Sequence, residues 1–214
     1  MNAYLALTKP RLLPLVLFSG LPALVLAEGH WPGLRLAAWT LCGTALAAGA
    51  ANALNSYLER DRDARMERTA TRPLPSGTLP AVRALALGLA LSALGTAVLW
   101  AAAGPAAAGI ALAAILFYVF VYTLWLKPRT PFAVVAGGVS GAIAPLIADA
   151  AVDGRISLSG WLLFAIIFLW QPPHFYAIAM NWWSAWFAGF GFSVPATGPS
   201  PWPVAPWQLA QYCA

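Results

Sequence analysis

The sequence predicts an all-α fold, a bundle of about six transmembrane helices that form one membrane domain over residues 1–180. The chain is 61% hydrophobic and only 9% charged, with a mean hydropathy of +0.72. Several runs without a charged residue approach or exceed the roughly 20 apolar residues that cross a bilayer. Together these observations exclude an ordinary soluble globular protein and indicate an integral membrane protein.

The charge-free runs set the positions of the predicted spans. In chain order these spans are roughly 11–27, 36–57, 81–102, 105–126, 131–150 and 158–180. The run 84–126 is long enough for two spans, and Gly104-Pro105 is the natural break between them. Pro73 and Pro75 stop the helix that follows the second span, so the chain turns there into the third.

The basic residues predict which end of the bundle faces the cytoplasm. When alternate loops are assigned to opposite sides, one side receives only Arg35 and Arg155. The other side receives ten basic residues: Lys9, Arg11, Arg60, Arg62, Arg65, Arg68, Arg72, Arg83, Lys127 and Arg129. Because cytoplasmic loops carry the excess of Lys and Arg, the N-terminus is predicted to be cytoplasmic. The net charge of +5 therefore needs no nucleic-acid partner.

One stretch, "NSYLERDRDARMERTATRPLPSG" at 55–77, concentrates four acids and five arginines. Asn55, Glu59 and Asp63 recur at every fourth position, so a helix would place them on one face, each about 40° further round. Asp61 would join them only if the helix ended or bent. Polar groups on one face at the mouth of a span are costly to leave unpaired and therefore indicate a site.

Oxygen ligands on that face suit Mg²⁺, which proteins usually share between one or two carboxylates and substrate phosphates. The neighbouring arginines are suited to hold the remaining phosphate oxygens. An ordinary cytoplasmic loop with mutually paired charges is the alternative interpretation, and it stays open for Arg60, Arg62, Arg65 and Glu67.

The same stretch resembles the first aspartate-rich motif of the UbiA superfamily of intramembrane prenyltransferases, in the version found in the heme O synthases (protoheme IX farnesyltransferases). Three more segments carry the resemblance: "LTKPRLLPLVLFSG" at 7–20, "LKPRTPFAVVAGGVSGAIAPLIADAAVDG" at 126–154 and "WQPPHF" at 170–175. The resemblance covers roughly residues 5–180, with the motifs in the right order and spacing. Members of this superfamily are bundles of transmembrane helices, normally nine, around a central cavity.

The resemblance implies Mg²⁺-dependent transfer of a farnesyl group from farnesyl diphosphate to a vinyl group of protoheme IX (heme B), which gives heme O and diphosphate. It implies Asn55, Glu59 and Asp63 as metal ligands and catalytic residues, with Asp61 nearby. The lipid bilayer surrounds such a protein. Its modified heme is implied to supply a heme A synthase or a terminal oxidase.

Further substrate-binding residues follow from the same resemblance. Arg68 and Arg72 match the basic positions of an "RTxxRPL" segment, and Lys127 and Arg129 match those of "LKxRTP". His174 belongs to the "PHF" signature, where it is expected either to face the heme or to be hydrogen-bonded within a helix bent by Pro172 and Pro173.

A second polar motif of the superfamily, Arg-Arg-acid-acid-Tyr, is expected within about a dozen residues of "PHF". Residues 179–194 read "AMNWWSAWFAGFGFSV" instead, and no charged residue occurs after Arg155. Two explanations remain. Either the sequence after about residue 180 is foreign to the superfamily through a shifted reading frame or a misjoined gene end, or the uncharged Trp- and Pro-rich tail at 181–214 belongs to a divergent member and lies along the membrane interface.

Two other functions stay open at this point. The chain is either an active prenyltransferase or a non-catalytic membrane protein that binds heme or a prenyl diphosphate. Within catalysis, prenyl transfer to an aromatic quinone precursor is the alternative to transfer to heme.

Overall fold

The computed structural model describes residues 2–65, 69–130 and 133–189, with the backbone alone beyond residue 174. All the regular structure in these ranges is helical, which confirms the all-α prediction. In chain order the elements are α1 (Ala3–Leu7), α2 (Leu13–Glu28), α3 (Leu34–Asp63), α4 (Ala81–Leu116), a π-helical segment (Phe117–Leu126), α5 (Ala133–Ala142), α6 (Ala144–Asp153) and α7 (Leu158–Gly189). Arg68, Glu67 and most of the predicted tail lie outside the described ranges.

Within the described residues, three helical stretches are long and apolar enough to cross a membrane: Leu34–Asp63, Ala81–Leu126 and Ala133–Asp153. The prediction of a polytopic membrane helix bundle is confirmed, whereas the count of six spans is confirmed only in part. One reason is α2, whose 16 residues reach about 24 Å at the usual helical rise. That length falls short of a hydrocarbon core of about 30 Å.

The helical stretch from Ala81 to Leu126 contains 46 residues and is interrupted where the sequence predicts two spans to meet. Gly104 has φ 87° and ψ 172°, a conformation outside the helical region that glycine adopts without a steric penalty. Pro105 follows and has no N–H to donate to the preceding turn. The predicted break at Gly104-Pro105 is therefore confirmed.

The first half of α4 packs antiparallel to α3, because residue numbers rise along one helix as they fall along the other. The close pairs are Gly43 with Leu99, Ala47 with Gly95, and Leu54 with Gly88. Each pair contains a glycine, and glycine lets two transmembrane backbones approach closely. This packing fixes the part of α3 that carries the polar face.

We expect Gly95→Ala to lower the thermal unfolding midpoint in detergent. A β-carbon at Gly95 would lie 3.0 Å from the backbone nitrogen of Ala47 and 3.1 Å from Cβ of Leu46, so no side-chain rotation relieves the contact. Overpacking of this kind typically costs about 1–3 kcal/mol. The matched control is Gly109→Ala in the same helix, where an added β-carbon meets nothing within 4 Å. Equal midpoints for the two variants would contradict the close approach of α3 and α4.

Two basic segments that the sequence assigns to one side of the membrane meet at one end of the bundle. The side chain of Asn52 in α3 donates a hydrogen bond to the carbonyl oxygen of Thr8, at 3.2 Å. Leu7 lies in a buried apolar cluster with Ala53 and Leu74. The turn between α1 and α2 and the loop after α3 are thus held against the end of α3. Which membrane face this end occupies remains a prediction from the charge distribution.

The turn into α7 is fixed by a buried acid. Asp149 in α6 is 2% exposed, and its carboxylate accepts hydrogen bonds from the backbone N–H and the hydroxyl of Ser157. Asp149 therefore stabilises the start of α7 at the end remote from α3's polar face. Helix α7 continues through residue 180 to Gly189, so the predicted domain boundary at 180 does not coincide with a helix end.

Candidate functional site

Asn55, Glu59 and Asp63 lie on one face of the last two turns of α3, as their spacing predicts. The helix continues unbroken to Asp63. All three side chains are almost completely buried, with 1%, 3% and 4% of their surfaces exposed. An amide and two carboxylates without contact with water require polar partners from other elements.

Glu59 has a lysine partner from the end of the π-helical segment. The Lys127 ammonium lies 2.8 Å from Oε1 of Glu59 and 2.9 Å from Oε2. Lys127 is itself 1% exposed and lies 5.5 Å from the centre of the Tyr122 ring. The pair is therefore fully desolvated, and each charge depends on the other.

Asn55 is held by its amide nitrogen only. Its Nδ2 donates to the hydroxyl of Thr123 at 3.2 Å, and that hydroxyl donates to the carbonyl oxygen of Tyr118 at 2.8 Å. The Oδ1 atom of Asn55 is buried and has no hydrogen-bond partner among the described residues. A buried acceptor without a partner is costly, so this oxygen is available to a hydrogen-bond donor or to a metal ion.

The π-helical segment explains how Thr123 and Lys127 reach α3. Its hydrogen bonds span five residues, as from the N–H of Lys127 to the carbonyl oxygen of Tyr122 at 2.8 Å. Thr123 and Lys127 are four residues apart, and so are their partners Asn55 and Glu59, which means that the two helices run parallel here. Short π-helical stretches inside α-helices frequently occur at functional sites.

Asp63 is paired from the loop that follows α3. Arg72 Nη1 donates to Oδ2 of Asp63 at 3.0 Å, and the Thr69 hydroxyl donates to the carbonyl oxygen of Asp63 at 2.7 Å. The loop thus folds back over the end of the helix and brings a guanidinium onto the second carboxylate.

A cavity of about 230 Å³ opens beside Asp63 and Arg72, between the end of α3 and the turn that joins α1 to α2. Ser56 and Lys9 are its other polar lining residues. Burial, and then the positive charges of Lys127 and Arg72, lower the pKa of Lys9 to about 8 against the opposing effect of Glu59 and Asp63. Lys9 therefore lies within the electrostatic reach of all four charged groups of the cluster.

Asp61 lies apart from this cluster. Its side chain is 78% exposed, and its nearest ion pair is a loose one to Arg60 at 3.7 Å. Arg60 also lies over the ring of Tyr57, 4.7 Å from its centre. Since α3 neither ends nor bends before Asp63, Asp61 keeps the direction that its position in the helix dictates. These local contacts of Arg60 agree with the alternative interpretation, in which it is an ordinary cytoplasmic charge paired with its neighbours.

Arg129 and His174 lie outside the cluster in the contacts that the structure shows. Arg129 donates to the carbonyl oxygen of Trp125 at 2.8 Å, at the end of the π-helical segment. The ring of His174 stacks on Trp170 with 4.3 Å between the ring centres. Trp170 is about half exposed. Both contacts are local to the helix that carries the residue.

The structure adds two residues that the sequence motifs do not single out as ligands, Thr123 and Lys9. Thr123 is an uncharged residue within an apolar run, so no sequence signal identifies it. Lys9 counts in the sequence only toward membrane orientation. Its place in the "LTKPR" segment, which carries part of the resemblance, was the available signal.

The donor set fits Mg²⁺. Asn55 offers an amide oxygen without a hydrogen-bond partner, and Glu59 and Asp63 offer carboxylate oxygens, which are the hard ligands that this ion prefers. In the ranges that the structure describes, no three His, Cys, Asp or Glu residues are grouped as an all-protein metal cage. A magnesium ion with few protein ligands keeps waters and binds substrate phosphates at its remaining positions.

Comparisons with known proteins match most of the chain. A family model described as the UbiA prenyltransferase family matches residues 16–184. Proteins named protoheme IX farnesyltransferase from Thermus thermophilus and Acidiphilium cryptum are each 49% identical over 177 residues, and one from Salinispora tropica is 47% identical over 180. These regions cover 83%, 83% and 84% of this chain, but 29%, 56% and 56% of the relatives, so the chain spans about half or less of their length. No solved structure matches.

Proposed function

The chain belongs to the UbiA prenyltransferase family, and on that premise we propose that it transfers a farnesyl group from farnesyl diphosphate to a vinyl group of protoheme IX, which gives heme O and diphosphate. One observation carries the proposal: a buried oxygen face, Asn55–Glu59–Asp63, is opposed by the cations Lys127 and Arg72. The names of the relatives at 47–49% identity support heme as the acceptor.

The chemistry requires a site that neutralises a leaving diphosphate. Asn55, Glu59 and Asp63 would hold Mg²⁺, which would supply Lewis-acid stabilisation of that charge. Lys127 and Arg72 are paired with the two carboxylates in the structure, so their charges are already positioned beside the metal ligands. In the proposed reaction these cations bind phosphate oxygens and stabilise the negative charge that develops as the carbon–oxygen bond breaks.

The bundle also has to keep water from the reacting carbon. Departure of diphosphate leaves an allylic, cation-like carbon, which the terminal carbon of the heme vinyl group then attacks. One water molecule adds to the cation left on the vinyl carbon next to the porphyrin and loses a proton, which gives the hydroxylated side chain of heme O. Water therefore has to be kept from the allylic carbon and admitted only to the second one. The packed core behind α3 is built of apolar side chains such as Leu54, Leu99 and Ile115. Such surroundings keep water away from the site.

The remaining assignments are proposals that rest on the resemblance. Arg68 and Arg129 are proposed diphosphate contacts, and His174 is a proposed heme contact. Asp61, which the resemblance places near the metal, is 78% exposed and lies apart from the cluster, so it is given no role in the reaction. The distribution of Lys and Arg supports a cytoplasmic N-terminus, and the resemblance implies a multi-pass protein of a bacterial inner membrane. Its product is proposed to supply a heme A synthase or a terminal oxidase.

The purified full chain, incubated with heme B, farnesyl diphosphate and Mg²⁺, tests the proposal when the hemes are separated by chromatography. We expect heme O to form, to disappear when a chelator removes the metal, and to return when Mg²⁺ is restored. Heme binding without product would instead support the non-catalytic alternative. A prenylated aromatic acid in a parallel incubation, with heme unchanged, would support the quinone-precursor alternative.

A further inference from the structure

The cavity beside α3 has the lining of an anion site. Its polar surface comes from Lys9, Ser56, Asp63 and Arg72, and the rest is apolar. At about 30 Å³ per water molecule, a volume of about 230 Å³ holds roughly seven waters, enough for a small anion. Two of the four polar groups, Lys9 and Arg72, are cations from different loops. Both lie at the end of the bundle that carries the polar face of α3.

Lys9 has a backbone conformation that lysine rarely adopts. Its φ is +50°, and among the described residues it is the only non-glycine with a positive φ. For an L-residue this conformation costs roughly 1–2 kcal/mol, and such strain clusters at ligand sites. Glycine would adopt it without that penalty. The chain has a lysine here although the backbone conformation is unfavourable for it.

The chain on the N-terminal side of Lys9 is held firmly. The Thr8 carbonyl oxygen accepts the hydrogen bond from Asn52, and Leu7 is 3% exposed. On the C-terminal side, the N–H of Leu12 donates to the carbonyl oxygen of Lys9 at 3.0 Å. The turn is therefore fixed on α3, and the strained residue is directed to the cavity, whereas Arg11 in the same turn is exposed.

The charges of a site loaded with diphosphate and Mg²⁺ balance only when Lys9 is included. Lys9, Arg72 and Lys127 carry three positive charges, and Glu59 and Asp63 carry two negative ones. The cluster therefore has an excess of one positive charge. A prenyl diphosphate bound to one Mg²⁺ carries about one net negative charge at neutral pH. Without Lys9, the loaded site would keep an uncompensated negative charge in a poorly solvated environment.

We propose that Lys9 is a third cation of the diphosphate site and binds the anionic head of the prenyl diphosphate together with Arg72 and Lys127. This inference rests on the proposed function, because it adds a substrate-binding residue to the same site. It assigns a role to the turn between α1 and α2: the turn forms a wall of the site and presents one charge to the ligand.

Titration calorimetry of the full chain in detergent, with inorganic diphosphate and Mg²⁺ as the probe, tests the inference. We expect Lys9→Gly to weaken diphosphate binding about tenfold or more, the loss that follows from one charged hydrogen bond. We expect the thermal unfolding midpoint of the same variant to stay equal or rise, because glycine relieves the positive φ. Lys9→Arg should keep most of the affinity, and Arg11→Ala, the exposed neighbour, should bind like the unsubstituted chain.

The outcomes separate this inference from the function on which it rests. Equal affinity in Lys9→Gly and the unsubstituted chain would overturn the role of Lys9 and leave the proposed function standing. A lowered midpoint together with lost affinity would assign Lys9 a structural role, which also overturns the inference; Lys9→Asn, which tolerates positive φ, repeats this comparison with a side chain present. An unsubstituted chain that binds no diphosphate would overturn both proposals.

Discussion

Replacing Lys127 with methionine is expected to lower the free energy of unfolding by about 3–5 kcal/mol, because it leaves the Glu59 carboxylate buried without a counter-ion. The two side chains are 1% and 4% exposed, and the ammonium lies 2.8 Å from the nearer carboxylate oxygen. Water is too remote to solvate the remaining charge. Glu59→Gln should cost a similar amount, since it strands the lysine instead.

The double variant Glu59→Gln/Lys127→Met should be clearly more stable than the sum of the single losses predicts, because it removes both charges together. Denaturant titrations in detergent micelles measure all three variants. Asp61→Asn is the control, since its surface pair with Arg60 spans 3.7 Å and such pairs contribute about 0–1 kcal/mol. Strictly additive losses, or single variants as stable as the unsubstituted chain, would show that the pair is not the buried ion pair described.

Asp63→Asn is expected to lower the rate of farnesyl transfer to heme by about 10²–10³-fold, the range found when one preorganised electrostatic group is removed. Asparagine keeps the shape of the side chain and removes the charge that would face both the metal and Arg72. Stability should change less than for Lys127→Met, because Arg72 is 27% exposed and water can partly replace its partner. The measurement is heme O formed per minute under saturating Mg²⁺.

Asp61→Asn is the matched control for the rate, since the residue has the same chemistry two positions away and its side chain is 78% exposed. We expect its rate to stay within about twofold of the unsubstituted chain, a change far below the effect of an electrostatic group at the reacting centre. Equal losses in the two variants would mean that Asp61 works in the site despite its exposed position.

Local periodicity made the polar face predictable. Asn55, Glu59 and Asp63 recur with the repeat of a helix, and the structure puts them on one buried face. The break at Gly104 was predictable for a similar reason, because a glycine–proline pair interrupts the regular hydrogen bonding of a helix. Both features depend on residues that are close in the sequence.

The partners of that face were not predictable from local pattern. Glu59 and Lys127 are 68 residues apart, and their pairing depends on the parallel packing of α3 and the π-helical segment. A π-helix has no strong composition of its own, so the sequence predicts an ordinary span there. Lys9 reaches the cluster only because Asn52 and Leu7 fix its turn on the bundle.

The change in composition near residue 180 does not coincide with the end of a helix. The domain boundary there stays a prediction, and the backbone is helical through it to Gly189. A helix needs no charged residues to continue through an apolar, tryptophan-rich stretch. Composition therefore marks a change in chemistry, whereas the end of a helix depends on its backbone and its caps.

The central claim is that Asn55, Glu59 and Asp63 hold a divalent metal together with diphosphate. Its most direct test replaces Mg²⁺ with Mn²⁺ and follows the electron paramagnetic resonance signal of free Mn²⁺ as protein and diphosphate are added. We expect tight binding in the unsubstituted chain and in Asp61→Asn. Binding should weaken about tenfold or more in Asn55→Ala, which loses one ligand, and in Asp63→Asn, whose amide oxygen lacks the negative charge of the carboxylate. Undiminished Mn²⁺ binding in Asn55→Ala and Asp63→Asn would contradict the claim.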